Sequence, residues 1–142
     1  MKIENHVVSL ELAKQLKEAG YPQDETYFCW DLETATIWQF VERTENYIAA
    51  PLASELGEQL SHEIWHYGYF INALGEHSQD NVWCTIRYQK MSTGEWWVSI
   101  IDRVDISQCT VCDKNEADAR AKMWLYLKKV GLLPPPQSGE KE

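Results

Sequence analysis

Residues 115–130, NEADARAKMWLYLKKV, read as a closing helix around which the rest of the chain is organised. Asn115 is a natural N-cap, because its side-chain oxygen can accept from first-turn amides that have no partner, and Glu116 and Asp118 set negative charge at the positive end of the helix dipole. At the other end Lys128 and Lys129 lie against the negative pole, Gly131 suits the left-handed residue that closes a helix, and Pro134, Pro135 and Pro136 cannot continue it. At 3.6-residue spacing Ala119, Met123, Tyr126, Leu127 and Val130 form one apolar stripe, which Ala117, Ala121 and Trp124 widen. Such a face needs a sheet or a second helix to lie on. The alanines of its first half let that partner approach closely, and Met123 and Trp124 supply bulk in the second half.

The chain has 142 residues, which suits one domain, residues 1–133, with roughly two-thirds of its unfolded surface buried. Residues 134–142, PPPQSGEKE, have nothing to bury and read as a disordered tail. Seven tryptophans and seven tyrosines in a chain of moderate hydrophobicity favour a core that contains β-structure. A formal charge of −9 repels phosphate backbones, so direct binding to a nucleic-acid backbone is not expected. The N-terminus lacks a signal-peptide apolar run, and nowhere do about 18 apolar residues run together, so a cytoplasmic protein without membrane contact is expected. In that reducing setting Cys29, Cys84, Cys109 and Cys112 should be thiols unless they hold metal.

Val7 and Val8 lead into residues 9–22, where Ser9 can cap, Leu10, Ala13 and Leu16 make a narrow stripe, and Gly20 and Pro22 terminate. Val8 is placed to staple against Ala13. Two aromatic runs, 27–30 and 36–41, flank the polar DLETA and predict strand, turn, strand. Residues 45–50 read as a connector. Pro51 can occupy the first turn of a short helix over 51–60, with Leu52, Ala53, Leu56 and Leu60 inward, although Gly57 weakens it by roughly 1 kcal/mol relative to alanine. Residues 63–74 alternate with a strand's period, 75–81 read as a polar turn, and strands over 82–89 and 96–104 complete an antiparallel meander. There is no internal repeat. The expected fold is α+β in the order α-β-β-α-β-β-β-α, with about five antiparallel strands in one sheet and the helices on one face.

His62-Glu63-Ile64-Trp65-His66 fits the H-E-x-x-H pattern, in which two histidines hold zinc and the glutamate is general base. That chemistry needs a helix, which places the imidazoles one turn apart; on a strand they stand about 13 Å apart, too far for joint ligation. The alternation of Trp65, Tyr67 and Tyr69 favours the strand, and the third metzincin ligand position holds Asn72. Cys109-Thr-Val-Cys112 precedes the closing helix, whose N-terminus lowers thiol pKa values. Asp113 and Glu116 oppose that, no βαβ pattern surrounds the pair, and a zinc site with Cys29 and Cys84 would lack a second C-x-x-C. Packed or idle thiols, no metal and no cofactor are therefore expected. Serine nucleophile elbows, phosphate-binding glycine loops and the dinucleotide fingerprint are absent. What remains is the sheet surface: if Cys84, Ile86 and Tyr88 face the helices, then Trp83, Thr85 and Arg87 face away, a platform for stacking a base or a partner's side chain. The bland alternative is that another strand, the short helix or a homodimer mate covers them.

Three stretches, VSLELAKQLKEAGYPQ, YIAAPLASELGEQL and EADARAKMWLYLKKVGLL, resemble a set of small proteins of unknown function encoded by tailed phages and prophages. HEIWH and CTVC lie outside these stretches. The resemblance implies a phage accessory protein in a bacterial host's cytoplasm and assigns no role to single residues; with no catalytic constellation in the chain and an aromatic-rich sheet, a non-enzymatic one is expected. Its partner would be a host protein or a small-molecule signal, as for an anti-defence factor that sequesters a nucleotide-like compound or blocks a protein. The alternatives are a small zinc hydrolase built on His62, Glu63 and His66, and a phage structural or interaction protein.

Overall fold

The computed structural model describes residues 2–39, 45–60, 63–71, 77–101 and 107–130, with side chains described outside 63–71, 77–83 and 107–108. A 3-10 turn, Ile3–Asn5, precedes α1 (Leu10–Glu18), β1 (Phe28–Asp31), β2 (Thr36–Gln39), β3 (Tyr47–Ala49), α2 (Ala53–Gln59), β4 (Glu63–Ile71), β5 (His77–Lys90), β6 (Trp96–Ile101), β7 (Ser107–Asp113) and α3 (Glu116–Lys129). The fold is α+β, but the strands form two antiparallel sheets instead of one, ordered β2-β1-β3 and β4-β5-β6-β7.

Two strands went unrecognised in the sequence, and each has a physical reason to form. β1 is the central strand of its sheet, and its edge away from β2 would leave backbone groups unpaired. Residues 45–50, expected as a connector, fill it: Trp30 stands opposite Ile48 and Cys29 opposite Ala49, and Leu32 and Ala50 amides extend the pairing to Asn46 and Phe28 carbonyls. β7 contains the CTVC stretch, which pairs with β6 so that Val98 meets Val111 and Ile100 meets Cys109. Of the expected turn over 75–81, His77 to Asn81 instead belong to β5 and pair with Ile71 to Tyr67. Between β5 and β6 Gly94 stands in the left-handed region at φ 96°, and its amide donates to the Met91 carbonyl.

The N-caps of α1 and α3 follow the sequence, whereas α2 begins at Ala53 with Leu52 as its N-cap, so Pro51 lies ahead of the helix and not in its first turn. Ser9 Oγ accepts from the Leu12 amide at 3.4 Å, and Val8 and Ala13, the staple pair, are both fully buried. Asn115 Oδ1 accepts from the amides of Ala117 and Asp118 at 2.8 and 3.3 Å. Ala117, Ala119, Ala121, Met123, Trp124 and Leu127 of α3 are buried, but Val130 is 45% exposed, because it is the C-cap and lies past the last turn that packs. α3 lies on β6 and β7, and α1 and α2 pack on α3. The core therefore runs continuously from Val8 and Leu16 through Trp30, Ile48 and Leu56 to Ile100, Met123 and Leu127. Among the described residues no helix is long and apolar enough to cross a membrane. Residues 134–142, expected as a tail, lie outside the described ones.

Candidate binding face on the four-stranded sheet

Alternation along β5, β6 and β7 sorts their side chains between two environments. Ile86 is in register with Ile100, and Tyr88 with Val98; these, with Cys109 and Val111, pack into the core beneath α3. The intervening residues take the other face: Thr85 opposite Ile101, Arg87 opposite Ser99, and Gln89 opposite Trp97, continuing to Thr110 beside Ser99 and Cys112 beside Trp97. Thr85, Arg87, Gln89, Thr110 and Cys112 are exposed, and Trp97 is 36% exposed. Ser99 and Ile101 in the middle strand are buried, and Ser99 Oγ and Thr110 Oγ1 share a 3.0 Å hydrogen bond. A recessed floor on β6 is thus flanked by exposed polar groups and one indole.

Thr85 and Arg87 therefore stand on the face away from the helices, as the alternation predicted. Trp83 is on β5 in register with Trp65, and its side chain lies outside the described ones. The aromatic group of this face missed in the sequence is Trp97. The signal was present: adjacent tryptophans on a strand must point to opposite sides, and Val98 and Ile100 assign Trp96 to the core side. Trp96 is half-buried with Lys90 Nζ 5.7 Å from its ring centre, so Trp97 is the one presented outward. Arg87 is the diagonal neighbour of Trp97, a relationship of about 7–8 Å or somewhat less that long side chains can bridge.

The chain matches no family model, no curated protein and no solved structure. A functional reading therefore rests on its own geometry.

Among the described residues neither metal-like motif has the local geometry that its chemistry needs. Glu63 and His66 belong to strand β4, without the helical turn that H-E-x-x-H chemistry requires, and His62 lies outside the described residues. Cys109 and Cys112 are on β7, not in a loop ahead of α3, and residues three apart on a strand point to opposite faces. Cys112 is exposed, whereas Cys109 is half-buried beneath Tyr126. Burial pushes the Cys109 thiol up, against a hydrogen bond with Tyr126 that pulls it down, which is opposite to the activation a helix N-terminus would supply. Cys29 and Cys84 are buried in different sheets. Among the described residues no three His, Cys, Asp or Glu side chains gather to hold a metal.

Proposed function

We propose that the protein is a non-enzymatic phage accessory protein that blocks or bridges a host protein by docking it on the outer face of β5, β6 and β7. The observation that carries this is the register of Arg87, Gln89 and Trp97 on the face opposite α3. Trp and Arg are the residue types that most often anchor protein interfaces, and a broad sheet face suits a macromolecule better than the enclosing cavity that a small signal needs. The formal charge of −9 favours a basic partner and speeds its encounter. The phage setting rests on the likeness of the three helical stretches.

The test is site-specific photocrosslinking in bacteria that express the protein with a photoreactive residue at Trp97, at Thr85, or at Glu11 on the exposed side of α1. One host protein captured from Trp97 and Thr85, not from Glu11, and lost with Arg87→Glu, supports the reading. Capture of a second copy of the chain alone would identify the face as a homodimer interface, and equal capture from all three positions would overturn a specific face.

A further inference from the structure

Away from the sheet face, residues 21–26 cross the flank of α2, and Tyr21, Glu25, Thr26, Glu55, Glu58 and Gln59 line a cleft of about 230 Å³. Tyr21 is only 4% exposed, and its ring meets Trp124 edge-on at 5.1 Å, which fixes its orientation. Among the described residues nothing hydrogen-bonds to its hydroxyl, which opens into the cleft instead of being sealed in the core. A buried phenol is ordinarily bonded at its oxygen. Burial, and then the charges of Glu55, Glu25 and Glu58, keep this phenol protonated far above its ordinary range. All three carboxylates therefore lie within electrostatic reach of the hydroxyl.

Their own commitments are unequal. Glu55 Oε1 accepts from the Leu52 amide at 2.8 Å and Oε2 from the Tyr27 amide at 2.9 Å, so this carboxylate is fixed in place. Glu25 and Glu58 are exposed. Among the described residues none of the three is in an ion pair, and no lysine or arginine lines the cleft. A divalent metal would need oxygens that converge on one point, and these do not. An alkylguanidinium differs: its five N–H donors spread in a plane and can serve several separated acceptors at once, and an ammonium offers three. The cleft is smaller than the roughly 300–1,000 Å³ typical of whole-ligand sites, which suits the tip of one side chain.

We propose that this cleft binds an organic cation, an alkylguanidinium or alkylammonium, on the Tyr21 hydroxyl and the carboxylates of Glu25, Glu55 and Glu58. The source is a basic side chain of a protein partner or a free polyamine, and this site stands independently of the sheet face. The test is a titration of the full chain, followed by amide NMR, with N-acetyl-arginine amide, with spermidine, and with N-acetyl-glutamine amide as the neutral control. Saturable shifts at Tyr21, Thr26, Glu58 and Gln59 are expected from a cation and not from the control. Affinity should fall roughly tenfold in the Glu25→Gln/Glu58→Gln protein, since each charge-assisted bond is worth more than a neutral one. Tyr21→Phe should weaken binding several-fold without altering the spectrum's dispersion. Saturation by the arginine amide identifies a partner's side chain as the source, and saturation by spermidine alone identifies a polyamine. No saturable shift from either cation, or shifts of equal strength in the double variant, would overturn the proposal.

Discussion

The backbone amide of Ser9 donates to Asp118 Oδ1 at 2.7 Å, across 109 positions of sequence. Each residue sits at a helix start, Ser9 as the N-cap of α1 and Asp118 in the first turn of α3. The join is reinforced on both sides: Asn115 Nδ2 donates to the Val7 carbonyl at 3.0 Å, Trp30 Nε1 donates to the Val8 carbonyl at 2.9 Å, and the Val8 amide donates to the Pro51 carbonyl at 3.1 Å. Residues 7–9 are thereby tied to α3, β1 and the start of α2.

Removing the acceptor should loosen this knot. Asp118→Ala leaves a half-buried amide without its partner and is expected to lower stability by about 1–3 kcal/mol, whereas Asp118→Asn keeps an oxygen there and should cost less. Urea unfolding of both variants measures this. Equal midpoints for Asp118→Ala and the parent would show that the bond contributes nothing.

The same carboxyl makes stability depend on pH. Burial holds Asp118 above its ordinary value of 3.8, in spite of the Ser9 hydrogen bonds. As pH rises from about 3.8 the unfolded chain gives up this proton before the folded one does, so the contribution of Asp118 falls through that interval. Asp113 acts oppositely: burial raises it, but the Asn115 amide and Lys122 outweigh burial and hold it below 3.8, so its contribution is present above 3.8 and is lost as pH falls through its depressed value. Unfolding free energy measured from pH 3 to 7 should therefore rise relative to the parent in Asp118→Asn as pH increases. A constant difference across that range would contradict the raised value.

Gly57 has its explanation in Arg120. A Cβ there would run into the guanidinium, which is held by the Ala53 carbonyl at 3.1 Å, by Glu116 at 2.6 Å and by the Tyr88 ring at 4.1 Å. In an unobstructed helix Gly→Ala stabilises by up to about 1 kcal/mol. Here Gly57→Ala should destabilise by about 1–2 kcal/mol through displacement of those anchored bonds, and should become favourable in an Arg120→Met background. A thermal-melt double-mutant cycle reads the sign change.

The thiols should separate by burial. Cys112 is expected to react first with a maleimide or disulfide reagent, Cys109 more slowly, and Cys29 and Cys84 only on unfolding. Mass spectrometry of peptides labelled over time gives the order. Addition of a chelator should leave the melting temperature unchanged, and a fall would revive a metal role for CTVC or for His62 and His66.

Much of this protein was legible in its sequence wherever the deciding physics is local. Caps at Ser9 and Asn115, the burial of Val8 with Ala13 and the division of Ile86 and Tyr88 from Thr85 and Arg87 all depend on groups within a few residues of one another. The periodicity of residues 63–74 predicted a strand for the same reason, and Glu63 to Ile71, with Glu63 and His66 of HEIWH, form one. Only the tertiary structure decided the rest. Residues 47–49 and 107–113 become strands because β1 and β6 have open edges to satisfy, a demand set by partners distant in sequence. Period-two alternation likewise specifies that a segment pairs, and leaves open which strand it joins, so two sheets could not be told from one. The Ser9–Asp118 bond, the Gly57–Arg120 fit and the acidic cleft under Tyr21 arise only when the chain closes on itself, because short-range forces write the elements and the packing of distant faces assigns their neighbours.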